Sequence, residues 1–185
     1  MESHTDRRWP ESDRIRLKTL TLLMRWAGLA IRDACTLKRE RLGADNSVFL
    51  YRAKTGHPVR VLLPPEVAEA LRNAPPGHAS HPDYFFWSDN GLPKSAVADW
   101  QRVYRRVFAT MNLPIDPETG KTKRAHPHMF LDTFAIEMLL SGASLDQVAM
   151  LLGHKSVKTT ERSYMPWVRA RQEMLHATVK RAWAV

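Results

Sequence analysis

Residues 151–164 read L-L-G-H-K-S-V-K-T-T-E-R-S-Y, and the interpretation of the whole chain depends on this stretch. Gly153 ends an apolar helical pattern, since glycine is the usual residue just beyond a helix C-terminus. His154 follows it directly, and Tyr164 lies ten residues further along the chain. This combination is a weak signal by itself and gains its meaning from the motifs that precede it.

Three motifs precede this stretch. G-L-A-I-R-D-A occupies residues 28–34 at the junction of two predicted helices, and A-K-T-G occupies residues 53–56 at the turn of a predicted hairpin. The third motif is H-P-H-M-F-L-D-T-F-A at residues 126–135. Each motif alone is weak, but the four in this order form a specific pattern.

The set resembles the catalytic domain of the tyrosine recombinases, the phage-integrase family, over about residues 14–183. The resemblance implies a mainly α-helical fold with a small antiparallel β-sheet. It also implies a site-specific DNA recombinase or integrase that cleaves and rejoins double-stranded DNA through a 3′-phosphotyrosine. It implies no metal and no other cofactor.

The resemblance assigns a role to four residues. Tyr164 matches the nucleophile that attacks the scissile phosphate, and Lys54 matches the lysine that protonates the departing 5′ oxygen. His128 matches a histidine that assists proton transfer, and His154 matches a histidine that hydrogen-bonds the phosphate. Such helpers fit the chemistry, because a phenol with a pKa near about 10 is a weak nucleophile at neutral pH.

Two positions depart from the family pattern. The family places one arginine after the Gly-Leu of the first motif and another three residues after the motif histidine, but this chain has Ala30 and Leu131 there. We call Ala30 and Leu131 the vacated positions. The missing guanidinium groups would hold the phosphate oxygens on which negative charge grows. Because the loss of one such donor costs roughly 10²–10³ in rate, we expect impaired cleavage.

Two other arginines are candidates to replace the missing pair. Arg32 lies two positions after Ala30, about 200° around a helix, so we expect it to point elsewhere. Arg124 lies in a predicted loop seven residues before Leu131. We expect neither arginine to reach the phosphate.

The charge of the chain favours a polyanionic partner. The sequence has 28 Lys and Arg against 19 Asp and Glu, a net charge of +9. A balance of this size is typical of nucleic-acid binding. The basic residues that we expect to face DNA are Lys121, Lys123, Arg124 and Lys155.

The composition argues against several other classes of protein. No apolar run approaches the roughly 20 residues of a membrane-spanning helix. The single cysteine, Cys35, has no partner for an internal disulfide and is expected in the core. His126 and His128 form a pair with no third metal ligand at a recognisable spacing. We expect a cytoplasmic, nucleoid-associated protein.

Hydrophobic periodicity predicts helices and one hairpin. The predicted helices cover residues 14–27, 31–38, 66–72, 95–111, 129–140, 144–152 and 167–182. Ser144 and Gln147 have the spacing of a capping box. Two strands at residues 47–53 and 59–63 flank the hairpin turn, and residues 84–87 are predicted as a short buried strand.

We expect a flexible N-terminal arm over residues 1–12 and one catalytic domain over residues 13–185. Before Arg14 the sequence has no room for the N-terminal DNA-binding domain that the resemblance implies. The C-terminal helix, over residues 167–183, has two alternative placements. It docks on a neighbouring protomer in a homo-oligomer on DNA, or it folds back onto its own core.

Two further hypotheses differ from an impaired recombinase. The first is a non-catalytic DNA-binding protein on the same fold. The second is a basic helical module for RNA or protein, whose motif matches are accidental. Covalent protein–DNA complexes separate the recombinase from the first alternative, and salt-dependent DNA affinity separates both from the second.

Overall fold

A computed structural model describes residues 9–78, 80–87, 92–117 and 119–183 of the chain. These residues form seven α-helices and one two-stranded antiparallel sheet, so the predicted fold class is confirmed. The strands are β1 (Ser47–Tyr51) and β2 (Pro58–Leu62). The helices are α1 (Glu11–Ala27), α2 (Ile31–Cys35), α3 (Pro65–Arg72), α4 (Pro93–Ala109), α5 (His128–Leu140), α6 (Leu145–Leu152) and α7 (Val157–Trp183).

The predicted hairpin is confirmed, although β1 is two residues shorter than expected and β2 is shifted by one residue. Val48 pairs with Val61, and Leu50 pairs with Val59. All four side chains are buried, because alternate residues of a strand point to the same face. Strand β2 packs against α6, so the turn of the hairpin lies beside the end of that helix.

Helix α1 is the centre of the core. Leu20, Leu23 and Met24 are fully buried, and α1 contacts α2, α3 and α5. Cys35 is also fully buried, as predicted, and burial raises the pKa of its thiol to about 12. Apolar residues from most elements therefore meet in one core, and this core supports the motifs at its edge.

Gly28 sets the approach of α1 to α5. It ends α1 with a left-handed φ of 57°, a conformation that glycine adopts without strain. A Cβ atom at this position would lie 2.4 Å from Cδ1 of Phe134. The glycine therefore lets the first motif and the third motif pack in direct contact.

Helix α7 differs most from the sequence-based prediction. The sequence predicts a start at Trp167, directly after Pro166, but the helix begins at Val157 and continues through Pro166. Proline usually interrupts a helix because it lacks an N–H group. Here Thr160 and Tyr164, one turn apart, are both buried, and α7 packs against α5 and α6. Tertiary packing thus holds the segment in a helix despite the proline.

The C-terminal part of α7 does not fold back onto the core. Leu175, Val179 and Trp183 are 53%, 43% and 77% exposed. That alternative placement of the C-terminal helix is therefore wrong in this structure. The placement on a neighbouring protomer stays a prediction.

Three smaller predictions need correction. The segment at residues 84–87 is not a strand, since Tyr84 forms only an isolated bridge with Lys38. The second helix ends at Cys35 rather than Lys38, and a short 3₁₀ turn follows at Arg39–Arg41. Residues 1–8 of the predicted N-terminal arm lie outside the described residues, and α1 already begins at Glu11. Within the described part of the chain, no helix combines the length and apolar character needed to cross a membrane.

Candidate active site

Tyr164 lies on the inner face of α7 and is 4% exposed. Its hydroxyl group donates a hydrogen bond to Oδ1 of Asp132 on α5, over 2.8 Å. Burial raises the pKa of Tyr164 above its ordinary value, and the hydrogen bond to Asp132 and the charge of that carboxylate raise it further. In this arrangement the phenol is protonated and weakly nucleophilic at neutral pH.

Asp132 also connects Tyr164 to His128. His128 is the first residue of α5, and Asp132 lies one turn later on the same face. Nε2 of His128 lies 3.9 Å from Oδ1 of Asp132. The structure thus places His128, Asp132 and Tyr164 in a row. Asp132 is not among the predicted site residues, although residues four apart, such as His128 and Asp132, lie on one helix face.

His154 is positioned by the end of α6. The capping box of Ser144 and Gln147 starts this helix as predicted, and Gly153 ends it in a left-handed conformation. The N–H group of His154 donates to the carbonyl of Ala149 over 2.9 Å, which completes the helix end. The chain therefore leaves α6 in a fixed direction, and His154 is its next residue.

Thr160 fixes the imidazole ring of His154. Its Oγ1 lies 2.8 Å from Nδ1 of His154, and Thr160 is fully buried on α7. If the threonine donates this bond, the ring proton lies on Nε2, where it can be donated to a phosphate. Thr160, one turn before Tyr164, is not among the predicted site residues. Helix α7 thus carries both Tyr164 and Thr160, the hydrogen-bond partner of His154.

Several predicted site residues act on the charge state of His154. Burial lowers the pKa of His154, and the positive charges of Arg52, Lys54 and His128 lower it further. Three of the four predicted catalytic residues therefore interact electrostatically in one region. A neutral histidine there can donate a hydrogen bond without adding charge.

Lys54 is exposed at the tip of the hairpin, and its two neighbours are anchored. The N–H group of Ala53 donates to Oδ1 of Asp33 over 2.8 Å, and the hydroxyl of Thr55 donates to the carbonyl of Gly153 over 2.9 Å. The first contact reaches the first motif, and the second reaches the motif of His154. The hairpin tip is therefore fastened to both.

Gly153 explains why the hairpin approaches α6 so closely. A Cβ atom on Gly153 would lie 2.6 Å from Cγ of Arg52 and 2.8 Å from Cγ2 of Val59. Any other residue would push the hairpin away. The same glycine that ends α6 thus also makes room for the strand beside the lysine turn.

The vacated positions offer no hydrogen-bond donor from their side chains. Ala30 is half-buried at the start of α2, and Leu131 is 5% exposed within the core. The candidate replacements Arg32 and Arg124 are both exposed. Among the described residues, neither arginine forms a hydrogen bond or an ion pair with His128, Asp132 or Tyr164.

The basic residues predicted to face DNA are all exposed. Lys121, Lys123 and Arg124 lie in the segment that leads into α5, where Ile115 and Thr122 form an isolated bridge. Lys155 follows His154 directly. Across the described ranges, no three His, Cys, Asp or Glu residues form a group suited to a metal ion, and this includes the pair of His126 and His128.

Known proteins match most of the chain in sequence. The Phage integrase family matches residues 2–167 of the chain. A tyrosine recombinase of Pseudothermotoga lettingae is 29% identical over 140 residues, which are 75% of this chain and 45% of the relative. Tyrosine recombinase XerC of Rhodospirillum centenum is 31% identical over 152 residues, 80% of this chain and 42% of the relative. The chain thus spans about half the length of the relatives it matches.

Solved structures show the same fold. The catalytic domain of bacteriophage HP1 integrase has a TM-score of 0.52 at 16% identity, over 90% of each chain. XerH site-specific recombinase, bound to its palindromic difH substrate in a post-cleavage complex, has a TM-score of 0.63 at 17% identity. That match covers 83% of this chain and 43% of XerH. With its four motifs gathered at one edge of this fold, the chain belongs to the phage integrase family, the tyrosine recombinases.

Proposed function

We propose that this chain is a recombinase catalytic domain that binds double-stranded DNA and cleaves it through Tyr164 only weakly. Family membership and the net charge of +9 support DNA as the partner. The observation that carries the impairment is the hydrogen bond from Tyr164 to Asp132. Neither vacated position, Ala30 or Leu131, has a side-chain donor that could offset this carboxylate. A phosphate at this site would meet a carboxylate where the family supplies guanidinium groups.

The chemistry of the proposed reaction assigns each residue a task. The oxygen of Tyr164 attacks the scissile phosphorus and loses its proton, while the bond from phosphorus to the 5′ oxygen breaks. Lys54 donates a proton to the departing 5′ oxygen, and rejoining reverses these steps. His154 donates a hydrogen bond to the phosphate, and His128 assists proton transfer. The covalent 3′-phosphotyrosine keeps the energy of the phosphodiester bond, so the step needs no ATP.

Asp132 is the natural acceptor of the proton from Tyr164, since the hydrogen bond already points toward it. However, its negative charge raises the free energy of a phosphate nearby. The loss of one clamp donor costs roughly 10²–10³ in rate, and this chain lacks two. The balance therefore favours binding over cleavage.

DNA contacts are assigned to the exposed basic residues around this site. Lys155 lies beside His154, and the segment 121–124 leads into α5 at His128. The exposed apolar residues of the C-terminal half of α7 support a homo-oligomer on DNA through residues 167–183. We assign the protein to the nucleoid on the same grounds.

Binding to a fluorescent duplex tests the DNA part of the proposal. We expect log Kd to rise steeply with log salt, and we expect Lys155→Ala to reduce that slope by about 1. Lys18→Ala is the matched control, since Lys18 is an exposed lysine on α1. Binding that does not depend on salt, or an equal effect of both substitutions, would contradict the assignment.

The alternative, a non-catalytic DNA-binding protein on the same fold, is favoured by the burial of Tyr164. The two hypotheses differ in one product. A weak recombinase gives a small amount of covalent adduct that disappears in Tyr164→Phe. A protein that only binds DNA gives salt-dependent affinity and no covalent adduct. This holds even on nicked duplexes, on which rejoining of the cleaved strand is suppressed.

A further inference from the structure

One buried arginine outside the four motifs contacts two of them and directly precedes a third. Arg52 follows β1 directly, and its side chain is 4% exposed. Its Nη2 donates to the carbonyl oxygens of Gly28 and Leu151 over 2.9 and 3.1 Å. Its Nη1 lies 3.3 Å from Oδ2 of Asp33. A single guanidinium group therefore contacts the first and the last motif from the base of the hairpin turn.

The surroundings of Arg52 suit a cation. Gly28 caps the C-terminus of α1, and Leu151 lies in the last turn of α6, so both carbonyls are at the negative ends of helices. Asp33 adds a full negative charge. However, Nε of Arg52 is buried without a partner. A buried ion pair seldom stabilises a fold more than apolar packing does, so this arrangement suggests a role other than stability.

Asp33 connects Arg52 to a vacated position. It lies three residues after Ala30 at the start of α2, so an arginine at position 30 would lie on the same helix face as Asp33. In this chain, where position 30 is alanine, the carboxylate of Asp33 pairs with Arg52. The other oxygen of Asp33 accepts the N–H group of Ala53, the residue before Lys54.

We propose that Arg52 is the positioning residue of the phosphate site, which holds the turn of Lys54 and the turn of His154 in one arrangement through Asp33, Gly28 and Leu151. The proposal deepens the proposed function and rests on it for the identity of the phosphate as that of DNA. Arg52 does not bind the phosphate itself, because both Nη atoms are occupied and the side chain is buried.

The charge of Arg52 also reaches His154. Burial is the largest cause of the lowered pKa of His154, and the positive charge of Arg52 is the second largest. The charges of Lys54 and His128 contribute less. Asp33, which pairs with Arg52 over 3.3 Å, carries the opposite charge beside it. A change at position 52 should therefore be measurable at His154, which is 102 positions away in the sequence.

Two readouts by NMR test this proposal without DNA. In Arg52→Met we expect the pKa of His154 to rise, because a positive charge is lost, and the amide of Ala53 to exchange at least about tenfold faster. In Arg52→Lys the pKa of His154 should stay low. Arg60→Met is the matched control on the same hairpin, since Arg60 is 64% exposed and pairs with Asp45. It should change neither readout.

A folded Arg52→Met protein with an unchanged His154 pKa and unchanged Ala53 exchange would overturn the proposal. Where Arg52→Met does not fold, Asp33→Asn supplies the second variant. It keeps an acceptor for Ala53 but weakens the hold on Arg52, so Ala53 should exchange faster while the pKa of His154 does not rise. Unchanged exchange in Asp33→Asn would also contradict the positioning role.

A double-mutant cycle extends the test to DNA. Lys54→Ala should weaken duplex binding at least about threefold in the original chain and much less in Arg52→Met, because Lys54 is then no longer positioned. In the Arg60→Met background the effect of Lys54→Ala should be unchanged. A full effect of Lys54→Ala in Arg52→Met would overturn the proposal. If no variant binds DNA, the proposed function fails, while the NMR readouts still decide the role of Arg52.

Discussion

The hydroxyl group of Tyr164 donates to Oδ1 of Asp132 over 2.8 Å, which joins α7 to α5 at the centre of the candidate site. For a nucleophile, this bond has two opposite effects. The carboxylate can accept the proton of the phenol, but its charge raises the pKa of Tyr164 and repels a phosphate. Since the vacated positions supply no positive charge, we expect the repulsion to dominate.

Removal of the charge of Asp132 should strengthen DNA binding. In Asp132→Asn we expect the duplex affinity to rise by at least about 1 kcal/mol, roughly fivefold, because unit charges about 4 Å apart interact by that much even in water. The pKa of Tyr164 should fall at the same time, as judged by absorbance of the phenolate with Tyr164→Phe as the reference.

Asp13→Asn is the control for this substitution. Asp13 is an exposed carboxylate in the first turn of α1, at the far end of that helix from Gly28. An equal gain in affinity from both substitutions would mean that only net charge matters. In that case the local repulsion assigned to Asp132 would be wrong.

The lowered pKa of His154 gives the stability a defined pH dependence. Since burial and positive neighbours lower its folded pKa, the unfolded chain binds the proton more readily. The stabilising contribution is full above the unfolded pKa of about 6.5 and is lost as the pH falls through the lower folded pKa. Urea denaturation at about pH 7.5 and at about pH 5 measures this effect. Between these two values the free energy of unfolding should fall less in His154→Asn than in the original chain.

The same group predicts how DNA binding changes with pH. A bound phosphate places negative charge near His154 and raises its pKa, so binding takes up a proton and tightens as the pH falls toward about 6. His154→Asn should flatten this dependence, since asparagine keeps a polar partner for Thr160 but does not titrate. A dependence that survives the substitution would assign the proton to another group.

The close contact of Gly28 with Phe134 joins the first motif to the third and should contribute to stability. Gly28→Ala should cost about 2–5 kcal/mol in the free energy of unfolding, because alanine is strained by about 1–2 kcal/mol at positive φ and overpacking adds about 1–3 kcal/mol. The added Cβ would lie 2.4 Å from Phe134. Urea denaturation measures the difference.

Gly56→Ala is the matched control, since Gly56 also has a positive φ of 71° but nothing within 4 Å of an added Cβ. It should cost only the backbone strain of about 1–2 kcal/mol. Equal losses for Gly28→Ala and Gly56→Ala would show that the approach of α1 to Phe134 is not tight.

Elements with a local signal were predictable from the sequence. The hairpin follows from alternating Val48, Leu50, Val59 and Val61, and the start of α6 follows from the capping box at Ser144. The continuation of α7 through Pro166 was not predictable in this way, because it depends on packing against α5 and α6.

The contacts that hold the candidate site were harder to predict. Asp132, Arg52 and Thr160 are polar residues with no periodic pattern, and their partners Tyr164, Asp33 and His154 are found only in the folded chain. The bonds of Arg52 to Asp33 and of Tyr164 to Asp132 join residues 19 and 32 positions apart, so no local pattern in one sequence predicts them. The family motifs therefore indicated where the site lies, and the structure identified the residues that hold it.

Covalent trapping on nicked DNA duplexes is the most direct test of the central claim, that this chain has the recombinase site but lacks its phosphate clamp. Denaturing gels would compare the original chain, Ala30→Arg/Leu131→Arg, and the same double variant with Tyr164→Phe. Because Leu131 is buried, urea denaturation must first show that the double variant folds.

We predict little or no adduct from the original chain, a strong adduct from the folded double variant, and none once Tyr164 is replaced by phenylalanine. A strong adduct from the original chain, or an adduct that persists in Tyr164→Phe, would contradict the account.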